Sequence, residues 1–186
     1  MSRIVALAGD GPLANAVARL YRESGDEVHL VPLENEQNAL AAIAALGDQP
    51  VDVLIVANGD QPPASIVAGV SRKDLTESLR AFTFLPFRLA VLLRPNLTLA
   101  GGRAVLLTTQ AVTMDFIDDE GRYLERPFRA AAHALWKCLS VEWQPEGICC
   151  ALIAMDDAGP LTSLPGLISS APNGMLVDSR GRPMSW

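Results

Sequence analysis

The sequence is poor in cysteine, in aromatic residues and in charge. Three cysteines among 186 residues, Cys138, Cys149 and Cys150, make an odd set with no Cys-x-x-Cys spacing, which excludes a disulfide scaffold and a thiolate zinc site. They read as buried, reduced thiols of a cytoplasmic protein. No apolar run approaches the ~20 residues that span a bilayer; the longest, 39–46 and 148–155, have eight residues each. Only 19% of residues are charged, the net charge is -6 and the basic residues are scattered. The electropositive footprint of a nucleic-acid or anionic-membrane binder is therefore missing. His29 and His133 lie far apart and read as surface or satisfied structural groups. Asp115, Asp118, Asp119 and Glu120 lack the spacing of a calcium loop and read as an exposed turn, so no metal site is expected.

What is present is a large apolar fraction, 49%, with a mean hydropathy of +0.22, enough to build one core without disulfides or a structural metal. No repeat or long linker divides the chain, so 1–186 reads as one domain. Short apolar runs alternate with helical periodicity. Residues 4–8 form a strand ending in Gly9-Asp10-Gly11, and Leu13, Ala14, Val17, Ala18, Leu20 and Tyr21 recur at helical spacing. A strand at 28–31, an Ala-rich helix at 36–46 stopped by Gly47, and a strand at 51–56 that is apolar but for Asp52 follow. A long helix is expected from about Asp74 to the Pro95-Asn96 break, with Pro86 bending it. Then come a strand at 103–108 and an excursion at 114–125, read as a small hairpin. Pro127 opens a helix with an apolar stripe through Phe128, Ala131, Ala132, Leu135, Leu139 and Val141, and a strand at 148–154 succeeds it. This regular alternation predicts a Rossmann-like, doubly wound parallel sheet of about six strands, helices on both faces, with any ligand at the carboxyl ends of the strands.

Gly9-Asp10-Gly11-Pro12-Leu13-Ala14 fits the G-x-G-x-x-G/A dinucleotide fingerprint in its proper strand-to-helix setting. The acidic residue usual at the end of the second strand is replaced by Val31-Pro32-Leu33, leaving Glu34 nearest. Asp52-Val53-Leu54-Ile55-Val56-Ala57-Asn58-Gly59, Pro86-Phe87 with its helix, Gly102-Arg103-Ala104-Val105-Leu106-Leu107-Thr108-Thr109 and Asn173-Gly174-Met175-Leu176-Val177-Asp178 follow in order. Taken together, the chain resembles the short-chain dehydrogenase/reductase family. The resemblance implies NAD or NADP held near Gly9, Asp10, Gly11, Leu13, Asn58 and Gly59.

The departures from that family are chemical. Its two later turn glycines align with Leu13 and Asn15. Its Tyr-x-x-x-Lys pair, in which the ammonium lowers the phenol's pKa, aligns with Phe128 and Ala132. Its serine position carries Thr109, and its proton-relay asparagine aligns with Phe82. The spacing leaves no room for the family's additional third strand, and most of its substrate-lid helices are expected to be missing. Tyr123 and Lys137 are too far apart in register to replace the lost pair, and Cys138 sits late in its helix, where the dipole raises a thiol's pKa. Trp136 and Trp143, seven residues apart, are expected on one face of that helix, as core or as part of an interface. The expectation is a catalytically degenerate relative acting as a binding or assembly subunit. It would form a homodimer, or pair with a complete family member, through helices at about 74–93 and 127–143. An NAD(P)-dependent oxidoreductase with an atypical site, or a dinucleotide sensor, is the alternative.

Overall fold

The computed structural model describes residues 2–57, 69–112, 121–155 and 161–185. Asn58, Gly59, the acidic residues between 115 and 120, most of the predicted hairpin and Trp186 lie outside the described residues. The elements are β1 (Ile4–Ala8), α1 (Pro12–Glu23), β2 (Glu27–Val31), α2 (Glu36–Leu46), β3 (Val53–Ala57), α3 (Arg72–Leu79), α4 (Leu85–Ala100), β4 (Arg103–Thr108), α5 (Arg126–Glu142), β5 (Cys149–Ala154), α6 (Leu164–Ser170) and β6 (Leu176–Asp178). The strands form one six-stranded sheet in the order β2-β1-β3-β4-β5-β6, and every neighbouring pair is parallel. A Rossmann-like doubly wound α/β fold is thus what the apolar runs produce.

Each strand is buried where the sheet is covered on both faces. β3 is buried at every position, which is why its sequence is continuously apolar rather than alternating. Side chains of alternate parity feed two cores. Ala6, Leu54, Leu106 and Leu152 meet α2, α4 and α5 on one side; Val5, Ile55, Val105 and Ile153 meet α1 and α6 on the other. β2 ends the sheet and is partly exposed, with Leu30 and Glu27 open to solvent. Between β5 and β6 the only described helices are a short 3-10 turn, Leu161–Ser163, and α6.

Several expectations shift at this level. The long helix starts at Arg72, where Ser71 and Asp74 form a capping box, and it runs through Pro95 to Ala100. Pro95 lies on the exposed face, so the ring displaces a carbonyl toward water instead of into packed side chains. The bend falls just before Pro86, as a five-residue π turn, Arg80–Phe84. Asn96 is buried and its amide donates to the carbonyls of Gly47 and Gln49, both at 2.8 Å, tying α4 to the end of α2. The buried stripe of α5 is rotated from the predicted one: it runs through Arg129, Ala132, His133, Trp136, Leu139 and Ser140, while Val141 is exposed. Trp136 and Trp143 are both core, and the Trp136 indole donates to the Ala104 carbonyl. Cys138 is exposed rather than buried; Cys150 is buried and Cys149 partly so.

Gly9 sits where β1 leaves the sheet, and a Cβ there would lie 2.2 Å from the backbone oxygen of Ala57. That oxygen belongs to the next strand and cannot move without displacing β3. Gly9→Ala should therefore cost about 1–3 kcal/mol of stability, and urea unfolding of the variant against wild type measures it.

Candidate functional site

The carboxyl ends of the strands bring together the glycine turn, the end of β4 and the start of α5. In the turn, Gly11 has φ of 89° and serves as N-cap of α1, a conformation that L side chains resist. The first turn of α1 carries no acidic residue and no side-chain cap, so its N–H groups point outward unpaired by side chains. Asp10 is turned across the mouth of the turn, where its Oδ2 accepts the backbone N–H of Leu33 at 2.7 Å. The carboxylate thereby fixes the loop after β2, in the stretch where an acidic residue was expected and Val31-Pro32-Leu33 was found. Leu13 is half-buried against the core beside α1, and Asn15 is exposed.

The second part of the site is the junction of α4 and α5. The π turn adds a residue to the helix and so redirects side chains. Thr83 within it donates its hydroxyl to the Phe128 carbonyl at 2.6 Å, and the Phe82 ring lies 4.6 Å from the guanidinium carbon of Arg129. Arg129 Nε is 2.8 Å from Glu125 Oε1, one helical turn earlier, with both side chains buried. Among the described residues Glu125 thus holds Arg129 as a buried ion pair. Burial pushes the Arg129 guanidinium below its ordinary pKa and Glu125 pulls it back up. One turn further, His133 Nε2 is 2.8 Å from the Thr108 hydroxyl at the end of β4. Burial, and then the nearby Arg129 charge, lower the His133 pKa to about 4, so its ring is neutral at physiological pH.

This arrangement can be set against the residues picked out by sequence. Phe82 and Phe128 lie at this joint, Phe82 stacking on Arg129 and the Phe128 carbonyl accepting Thr83, and Ala132 is buried in the core. Thr109 follows β4, half-buried beside Thr108. Lys137 is exposed and its Nζ donates to the Gly174 carbonyl at 3.0 Å, a structural role away from Tyr123. His133 is the satisfied structural histidine expected, whereas Glu125, Arg129 and Thr108 were missed. Their signal was present in the spacing, since Glu125, Arg129 and His133 fall at i, i+4 and i+8 on a largely apolar helix and must share a face. Among the described residues no cluster of His, Cys, Asp or Glu could hold a metal ion, and no helix is long and apolar enough to cross a membrane.

The backbone of the glycine turn suits an anion. Among the described residues a carboxylate, Asp10, stands in that turn, and at the α4/α5 junction Arg129 pairs with Glu125 and His133 with Thr108.

No protein-family model matches the chain, and no curated protein sequence does either. Solved structures do. The carbonyl reductase Sniffer of Drosophila melanogaster matches over 100% of both chains with a TM-score of 0.81 at 19% identity. An NADPH-bound carbonyl reductase from chicken fatty liver matches over 100% of this chain and 88% of its own, with a TM-score of 0.76 at 19% identity. A short-chain dehydrogenase/reductase family oxidoreductase from Brucella ovis, in complex with a partially ordered NAD, covers 96% of this chain and 99% of its own, with a TM-score of 0.79 at 16% identity. At such identities the likeness concerns the fold, which this chain shares with members of that family.

Two outcomes follow from the buried polar groups. Glu125→Ala strands the Arg129 charge without its partner and should cost about 3–5 kcal/mol. The double variant Glu125→Ala with Arg129→Met should recover part of that loss, as chemical denaturation of the set will report. For His133, the folded pKa of about 4 lies below the unfolded value of 6.5. Its contribution is therefore complete above pH 6.5 and is lost as pH falls through that window, by roughly 3 kcal/mol at pH 4. In His133→Gln the melting temperature should vary less between pH 6.5 and 4 than it does in wild type.

Proposed function

We propose that this chain is a catalytically degenerate relative of the short-chain dehydrogenases/reductases that acts as an assembly subunit, by forming a homodimer or by pairing with a complete family member. The observation that carries this reading is the junction of α4 and α5. Where the resemblance implies a phenol, an ammonium and a relay asparagine in register with a hydroxyl, this chain has a buried Glu125–Arg129 pair capped by Phe82. Neither charge is offered to a substrate, and the neutral His133 is committed to Thr108. The groups stabilise the joint instead of reacting.

The outer faces of the same two helices support an interface. Pro127, Ala134, Cys138 and Val141 are exposed and Ala131 is half-buried. Their spacing of four, three, four and three residues is that of a seam between packed helices, and the small side chains allow close approach. Beside it the π turn exposes Phe84, and α4 exposes Val91, Leu92 and Leu99, the last at 64%. Isolated exposed apolar residues are ordinary, but two adjacent apolar helix faces are the composition of a covered surface. Arg94, bound to Glu142 and Glu146, fixes the two helices against each other, so the face is preformed.

The second reading, a protein that binds a dinucleotide with or without turnover, is favoured by the uncapped, acid-free first turn of α1 behind Gly11. Calorimetric titration with NAD, NADH, NADP and NADPH separates the two: saturable heat supports binding, and no heat with any of the four removes it.

The assembly reading is tested by sedimentation equilibrium, where the expected mass is twice 19.8 kDa. Ala134→Arg should return the mass to that of one chain with little change in melting temperature. A wild-type monomer at high concentration that also co-purifies with no partner would overturn it.

A further inference from the structure

A cavity of about 510 Å³ lies at the carboxyl end of the sheet, outside the Glu125–Arg129 junction, and its described lining residues are Gln110, Asp178, Arg182, Pro183, Met184 and Ser185. Gln110 follows β4 and Asp178 ends β6, and β5 runs between those strands. The cavity therefore straddles the end of β5, in the region where open α/β sheets receive ligands. Its volume is that of a small-molecule site, for which roughly 300–1,000 Å³ is usual.

One wall is the chain's own C-terminal turn, folded back on β6. The Asp178 N–H donates to the Arg182 carbonyl, the Gly181 N–H to the Asp178 carbonyl and the Met184 N–H to the Leu176 carbonyl, each at 2.9 Å. Val177 and Pro183 form an antiparallel bridge. Within this wall the buried Asp178 carboxylate is saturated: Oδ1 accepts the N–H groups of Arg180 and Arg182 at 2.9 Å. Oδ2 accepts Arg182 Nε at 2.7 Å and lies 2.7 Å from Arg182 Nη2.

Arg182 is thus held by one edge of its guanidinium. The other edge, formed by Nη1 and the second hydrogen of Nη2, has no described partner, and the side chain remains 69% exposed. A guanidinium fixed in this way presents two parallel donors matched to one carboxylate, and because it is already ordered little freedom is lost on binding. Asp178 offsets most of its charge, which favours a monoanion over a phosphate dianion. Pro183 and Met184 line the same space with apolar surface.

We propose that this cavity binds a small organic carboxylate, its two oxygens on the outer edge of Arg182 and its apolar body against Pro183 and Met184. The proposal is independent of the assembly reading, because binding is measured whatever the oligomeric state.

The test is calorimetric titration of the full chain with benzoate and, in parallel, with the neutral isostere benzamide, at ionic strength held constant with chloride. Saturable benzoate binding, at least tenfold tighter than benzamide, is expected. Arg182→Gln should weaken it at least tenfold. Because that variant also removes the clasp on Asp178, Arg182→Lys is the second arm: it keeps a cation beside Asp178 but loses the planar fork, and should weaken benzoate at least fivefold with the melting temperature unchanged. No saturable binding, equal binding of benzamide, or unaltered affinity in a folded Arg182→Lys would each overturn the proposal.

Discussion

Covering a parallel sheet on both faces is the constraint from which the other features descend. Once β1, β3, β4 and β5 are buried front and back, their backbone groups are consumed by the ladder and their side chains by two apolar cores. Polar chemistry is then confined to the ends of strands and to the helix seams that close over them. The glycine turn after β1, Thr108 at the end of β4 and Asp178 at the end of β6 all stand at that rim. Gly9 shows how tightly the constraint is drawn, since the approach of β1 to Ala57 leaves no space for even one methyl group.

At the α4/α5 seam the same burial decides what charged groups can do. A carboxylate and a guanidinium taken out of water repay desolvation only through each other and through whatever else stabilises them. Arg129 has Glu125 on one side and the Phe82 ring on the other. His133, placed one turn on, responds by shedding its proton, first because burial disfavours its charged form and then because it would add a like charge near Arg129. Among the described residues the Glu125–Arg129 and Thr108–His133 pairs are thus made within the seam itself.

How much of this could be read in the sequence depended on which force was at work. Continuous apolar runs such as 53–57 and the Gly-bounded helix 36–46 reported their structure directly, because burial and capping are local in sequence. Pro95 misled, since its effect depends on which face of α4 it occupies, a property set by packing. The α5 stripe misled for a related reason: Phe128, Leu135 and Val141 looked like core by hydropathy, yet the buried face includes Arg129 and His133. Partners contributed from elsewhere, Phe82 for one and Thr108 for the other, help make those polar residues acceptable inside. Long-range pairs of this kind leave only a spacing pattern, here Glu125, Arg129 and His133 at intervals of four. The role of Asp10 was hidden likewise, because its acceptor bond reaches 23 residues along the chain to Leu33.

The inner and outer faces of α5 are linked by this economy. The inward face of α5 buries Arg129 and His133 among Ala132, Trp136 and Leu139, and its outward face shows Pro127, Ala134, Cys138 and Val141 beside Lys137 and Glu142, so both faces mix polar and apolar groups. Apolar surface left facing water gains nothing for the isolated chain, whereas buried charges cost it desolvation. Both become reasonable if the inward pair fixes the angle between α4 and α5 while the outward stripe is covered by another molecule. On the proposed assembly reading, rigidity at the joint would serve recognition, because a face held in place by Arg94 with Glu142 and Glu146, by Thr83 on Phe128 and by Arg129 under Phe82 needs little ordering when a partner docks.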